Sequence, residues 1–176
     1  MNPQDKQAKL LSVCAVAKSY LGVHEEPHFS NHGPQVEKFL RVVGLDAGNP
    51  WCMAFVVACF ASANYLSANG TTMLIRTGSC QAQADHAKSI GLLVSADDAA
   101  KILQPGWIML QWHPELVRYA HCGIVTDVKP DGVFWTIEGN TTDQPGVREG
   151  DEVCRQIRHV HDVRGGHARY AFIRTT

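Results

Sequence analysis

Apolar residues recur at helical spacing in the first half of the chain and alternate with a period of two in the second. Leu10, Leu11, Val13, Cys14, Ala17 and Leu21 follow the helical period and Gly22 stops it, which predicts a first helix. A polar loop, VHEEPHFSNHG, follows. Pro34 stands where a first helical residue belongs, and Val36, Phe39, Leu40 and Val43 give a second helix one apolar face before Gly44. The uncharged run NPWCMAFVVACF predicts a third helix, buried on most sides and reaching about Leu66, ahead of the turn-like Ala68-Asn69-Gly70. A short fourth helix is expected over 79–90, with Ser79 as its cap. From Pro105 onward GWIMLQW, AHCGIVTDV, VFWTIEG, EVCRQIRHV and RYAFIR read as strands separated by turn signals. Helices first and strands afterwards predict an α+β fold with an antiparallel sheet.

The 176 residues, 45% hydrophobic and 19% charged, suit a single globular domain over 1–176. Within it, 1–32 forms the first helix and loop, 33–140 the central segment and 141–176 the terminal strands. A formal net charge of -1, with Lys and Arg scattered among acids, provides no field for phosphate backbones or anionic lipid, so nucleic acid is not expected as a partner. The longest apolar run, 51–61, is shorter than the roughly 20 residues that cross a bilayer, and no membrane insertion is expected. The apolar stretch at 10–17 is closed by Lys18 with no cleavage site after it, and is read as an amphipathic helix rather than a secretory leader. Cysteines at 14, 52, 59, 80, 122 and 154 lack CxxC or Cys/His zinc spacing; reduced, separate thiols are expected, without metal or cofactor.

Cys52 stands at the mouth of the apolar run, a position that packing alone does not require. Asn49 and Pro50 read as an N-cap and a first-turn proline, placing Cys52 in the opening turn of the third helix. There, unpartnered backbone N–H groups and the positive end of the helix dipole favour a thiolate. Cys59, two turns further in, has no such activation. The competing reading of Cys52 alone is a small packed hydrophobe. His121 offers a base: its strand turns at Lys129-Pro130-Asp131-Gly132 into VFWTIEGN. If Lys129 pairs with Gly132, His121 lies opposite Asn140 and Glu138 lies diagonally on the same face, both being groups that orient an imidazole. A bulge at Gly132 would move that pairing by one residue, and an uncompensated slip would send these side chains to opposite faces.

NPWCMAFV, AHCGIVTDV and FWTIEGNT, in that order over roughly 33–140, resemble the motifs of the CHAP family, the cysteine- and histidine-dependent amidohydrolases and peptidases. The resemblance implies a papain-like fold, with N-terminal helices packed on a C-terminal antiparallel sheet and the nucleophile at the N-terminus of the central helix. It also implies Cys52 as nucleophile, His121 as base, Glu138 as the group orienting His121, Asn140 as a further supporting polar residue, and peptidoglycan as substrate. Two positions differ from the common pattern: Trp107 follows Gly106 where many members carry an acid, and Cys122 replaces a more usual valine. Some phage-type members hold calcium in an acidic loop before the nucleophile. Here GLDAGNP offers only Asp46, against the six to eight oxygens calcium takes, so no calcium is expected there.

Other polar residues have plainer readings. His24, His28 and His32 are expected in a solvated loop, because Pro27 and Gly33-Pro34 break any helix that would align them. His113 is read as a loop residue, and His159 and His161 as solvent-facing. Asn31 either borders the cleft and binds substrate or serves the start of the second helix. Trp51 either walls the cleft and binds substrate or simply packs, the wall being favoured because it flanks Cys52. Arg148, Arg155, Arg158, Arg164 and Arg169 either hold an anionic polymer or form a solvated strand face. Three functions remain open on the sequence: a peptidoglycan amidase or endopeptidase, a cytosolic amidase of a small peptide-polyamine conjugate, and a non-catalytic wall-binding module. For the first, a monomer made in the cytoplasm without a signal peptide is expected to act in the periplasm or wall. It would be released as a phage-type lysin or injected as a secreted effector with a cognate immunity protein.

Overall fold

The computed structural model describes residues 3–65, 73–142 and 150–175. Four helices, α1 (Pro3–Ser19), α2 (Pro34–Val42), α3 (Cys52–Ser62) and α4 (Cys80–Ser89), precede all the described strands. Pro34 opens α2, where its fixed φ and missing N–H cost nothing. Ser79 caps α4, its hydroxyl accepting the Ala82 N–H at 3.2 Å. The start of α3 differs from expectation. Trp51 occupies the cap position, while Asn49 donates its amide to Asp46 O at 2.9 Å, so Cys52 is the first helical residue. α3 stops at Ser62 and Asn64 takes left-handed backbone (φ 53°); Leu66 and the turn at 68–70 lie outside the described residues. In α1, Leu10, Val13, Cys14 and Ala17 face the core and Leu11 is exposed; the helix ends at Ser19, so Leu21, also exposed, lies beyond it rather than within it as expected.

Strands β1 (Leu93–Ser95), β2 (Ile108–His113), β3 (Arg118–Val128), β4 (Val133–Thr141) and β5 (Glu152–His159) join β8 (Tyr170–Ile173) in one six-stranded sheet. Its order is β1-β8-β2-β3-β4-β5, with every neighbouring pair antiparallel. A small hairpin, β6 (Val163–Arg164) with β7 (His167–Ala168), and a one-turn helix α5 (Ala96–Ala99) complete the described elements. β1 and α5 escape the sequence pattern because three and four residues carry too little periodicity. The architecture is α+β, with a mostly antiparallel sheet, as predicted.

Alternation along the strands divides the interior in two. Ile108, Leu110, Cys122, Ile124 and Ile137 join α1 to α4 in the main core; Met109, Val125, Phe134 and Phe172 join α5 in a smaller one. α3 packs against α1, α2, β3 and β4, which is why it is apolar all round: every residue over 52–60 is buried. Gly139 permits this approach, since a Cβ there would lie 2.6 Å from Trp51 Cζ3.

The β3–β4 register decides which groups meet at the end of α3. Lys129 N–H donates to Val133 O at 2.8 Å, so Val128 stands opposite Phe134 and Asp127 opposite Trp135, one residue off the expected pairing. An irregularity between Val125 and Asp127 takes up one residue and restores Val125 to Thr136 and Ile124 to Ile137. The slip at the turn is therefore cancelled before β3 reaches His121, and the face assignment survives. Among the described residues, no helix is long and apolar enough to cross a membrane.

Candidate active site

Two helix starts and one strand meet at the floor of an open cleft. Cys52 opens α3, Cys80 opens α4, and their sulfurs lie 3.8 Å apart. Cys122 of β3 points to the same place, and the sulfurs of Cys52, Cys80 and Cys122 all lie within 4.8 Å of one another. The cleft measures about 1170 Å³, and Cys52, Cys80, His121, Asn31 and Asn140 line it. Separate thiols were expected from spacing; the fold instead gathers three that stand far apart in sequence.

His121 Nε2 lies 2.7 Å from Glu138 Oε2, which leaves Nδ1 as the nitrogen able to exchange a proton with a sulfur, and Cys52 is among the groups that act on the ring. Glu138 is fully buried yet fully engaged. Arg158 donates to it through Nε at 3.1 Å and Nη2 at 2.7 Å, and the Thr136 hydroxyl donates to Oε1. Such a bidentate guanidinium both neutralises the carboxylate and fixes its plane. Gly123 leaves room for it, because a Cβ there would stand 2.5 Å from Glu138 Cγ.

These contacts set the protonation states. Hydrogen bonds from Cys122 and Cys80, with the His121 ring beside them, hold Cys52 well below the ordinary thiol range against the opposing effect of burial. Burial disfavours the charged form of His121 too, but Cys52 and Glu138 outweigh it and push the ring up to about 10. Glu138 is brought down to about 2, its own burial being overcome by His121 and Arg158. Burial and contact with Cys52 push Cys122 up, and contact with Cys52 and burial do the same for Cys80 against the lowering effect of Cys122. These directions favour a thiolate at Cys52 beside a charged His121 ring, with Cys80 and Cys122 kept as thiols.

Asn140 does not stand where the strand pairing put it. Its backbone is left-handed (φ 55°) and β4 slips against β5 between Glu138 and Thr141, so its side chain turns from His121 toward α3. Its amide oxygen accepts the Trp51 N–H at 3.2 Å and its nitrogen donates to Gly150 O at 2.7 Å. Trp51 is not a wall of the cleft. It is completely buried, stacked on Phe39 with ring centroids 5.9 Å apart, and its indole N–H donates to Glu25 Oε1 at 2.7 Å. Asn31 does border the cleft, its backbone N–H donating to Glu25 Oε2 at 2.7 Å.

Sequence reasoning missed Glu25 and Arg158. Glu25 is a buried carboxylate holding both the loop at Asn31 and the ring at Trp51, and a Glu-Glu-Pro in a polar loop gives no hint of burial. Arg158, one of the arginines read as holding an anionic polymer or forming a solvated face, instead reaches Glu138 through the β4–β5 register, in which Phe134 stands opposite Arg158. Ten residues separate those strands, too many for a turn to fix the pairing. Of the other arginines, Arg164 and Arg169 line the cleft with Arg118, Arg155 lies over the Trp135 ring at 6.0 Å, and Arg148 is outside the described residues. The loop histidine His28 is hydrogen-bonded to Asp151, and His113 ends β2 in the cleft, 3.1 Å from Glu115 Oε1.

The model of the CHAP domain matches residues 44–140, which contain Cys52, His121 and Glu138. The chain belongs to the CHAP family. Members are amidohydrolases and peptidases, commonly acting on peptidoglycan, and the α+β architecture found here is compatible with theirs. The match begins at 44 rather than near 33, and so leaves out α2 and the loop carrying Glu25 and Asn31. Neither the curated proteins nor the solved structures give a match to the chain.

Proposed function

We propose that this CHAP protein is a cysteine-dependent amide hydrolase of peptidoglycan, with its nucleophile at the start of the central helix in the papain-like manner. The observation that carries this reading is the line of contacts from Cys52 through His121 and Glu138 to Arg158 at the floor of the cleft. Cys52 thiolate attacks the amide carbonyl, and His121 gives its Nδ1 proton to the leaving amine. Having lost that proton, His121 takes one from water, which hydrolyses the thioester. The backbone N–H of Cys52, in the first turn of α3, faces no partner within its own helix and is an oxyanion donor. Asn140 fixes that helix start through the Trp51 N–H, and Asn31 contributes to substrate binding at the rim. Trp51 supports the site from beneath as packing. Arg118, Arg164 and Arg169 along the cleft suit a substrate that carries carboxylates, as wall stem peptides do. Action at the cell wall, as a phage-type lysin or as a secreted antibacterial effector with an immunity protein, accords with that substrate.

Digestion of purified sacculi followed by mass spectrometry of the products is the direct test. Muramic acid freed of peptide would identify an amidase acting between the lactyl group and the first alanine, and new peptide N-termini an endopeptidase. Sacculi left intact, with small peptide amides hydrolysed instead, would overturn the substrate.

The charge state of the pair predicts the pH profile. His121 must carry a proton to release the amine, and its pKa is raised to about 10, so kcat/KM should hold through neutral pH and fall only as pH rises through about 10. On the acid side it should fall as Cys52 is protonated, below the ordinary thiol range. An alkaline limb near 6.5, the value of an unperturbed imidazole, would show that the ion pair does not form.

A further inference from the structure

The catalytic reading uses one thiol of three as a nucleophile, and the other two form no bond to the substrate. We propose that Cys52, Cys80 and Cys122 form a three-thiolate binding site for a thiophilic divalent ion of the zinc class, seated at the floor of the cleft.

Geometry carries the assignment. Sulfurs about 2.3 Å from a tetrahedral ion stand roughly 3.8 Å apart. The Cys52 and Cys80 sulfurs are 3.8 Å apart, and all three lie within 4.8 Å of one another, so side-chain rotations of less than about 1 Å close the triangle. The three come from three separate elements, α3, α4 and β3, that are already packed together, so little ordering remains to be done on binding. Cys52 and Cys80 are each the first residue of a helix, where the dipole and free N–H groups stabilise negative charge on sulfur. Ser79 and Gln81 hold the second of these helices in place, Ser79 by its cap and Gln81 by accepting the Tyr119 N–H of β3 at 3.0 Å. Sulfur-only ligands select zinc-like and softer ions over calcium or magnesium. Cys52 and Cys80 line the cleft, which gives the ion a way in and leaves its fourth position to solvent there. On binding, the ion displaces the protons of the neutral thiols. The six cysteines show no zinc spacing in sequence because the three ligands are separated by whole elements.

Binding stands on sulfur geometry alone. Its consequence, that a bound ion occupies the nucleophile and stops hydrolysis until a chelator removes it, rests on the proposed function. The test is titration of the reduced, metal-free protein with Cd²⁺, followed by ultraviolet thiolate-to-metal charge transfer. One equivalent should bind per chain, and X-ray absorption of the loaded wild-type protein should count three sulfur ligands. Cys122→Val and Cys80→Ala, on different elements, should each weaken binding by at least about 100-fold, since loss of even an outer-shell partner costs 10–100-fold. Fewer than three sulfurs around the ion in the wild-type protein, a measurement that needs no variant to fold, would overturn the site. So would a charge-transfer band that both variants retain at full intensity. The two proposals fail separately: a protein that binds Cd²⁺ through three sulfurs but never cleaves sacculi keeps this site and loses the hydrolase.

Discussion

Cys52→Ala should abolish hydrolysis of peptidoglycan, by about 10⁵- to 10⁶-fold, while the protein still folds. Among the described residues, the Cys52 sulfur is the group at the floor of the cleft whose pKa is lowered and which acts on an imidazole, and alanine leaves no atom there to form the thioester. The fold should tolerate the change. Cys52 is buried at the edge of the main core beside the cleft, so the substitution removes one atom next to an existing opening and costs about 1–2 kcal/mol. His121 keeps Glu138, and Glu138 keeps Arg158. Turbidity loss of purified sacculi gives the rate, and a far-ultraviolet circular dichroism melt gives the stability. A variant that still lyses sacculi at a tenth of the wild-type rate would place the nucleophile elsewhere.

Glu138→Gln attacks the same site from behind and should damage both catalysis and stability. The amide cannot hold the imidazolium as the carboxylate does, so kcat should fall by about 10³- to 10⁴-fold, and the alkaline limb of activity should move down from about 10 toward the ordinary imidazole value. Arg158, buried against the carboxylate, would lose its counter-charge, a change that costs about 3 kcal/mol. The pH dependence of that loss has a definite sign. Glu138 titrates lower in the folded chain, so its contribution is complete above about 4.5 and disappears as pH falls through about 2. His121 titrates higher, so its contribution is complete below about 6.5 and disappears as pH rises through about 10. Wild type and variant should therefore differ most in denaturant midpoint between about pH 4.5 and 6.5. Equal midpoints there, with kcat unchanged, would show that Glu138 neither braces the histidine nor neutralises the arginine.

Much of this protein follows from local pattern. Pro34, Ser79 and the uncharged run after Trp51 mark helices because caps, fixed φ and an all-round apolar face act over a few residues. Period-two alternation marks the five principal strands for the same reason. The pairing of His121 with Glu138 was legible because a four-residue turn joins their strands, and a slip at the turn is compensated at Val125. The turn could not reveal that compensation, nor the left-handed residue that swings Asn140 from His121 to Trp51.

What only the tertiary structure decided are the contacts made across long chain separations. Arg158 on Glu138, Glu25 beneath Trp51, and the meeting of Cys52, Cys80 and Cys122 each join elements whose relative placement depends on how the helices pack on the sheet. Hydrophobic periodicity says which face of an element is buried but not which residue of another element it will meet, because burial is non-directional and the hydrogen bonds and sulfur contacts that choose partners act only at contact distance.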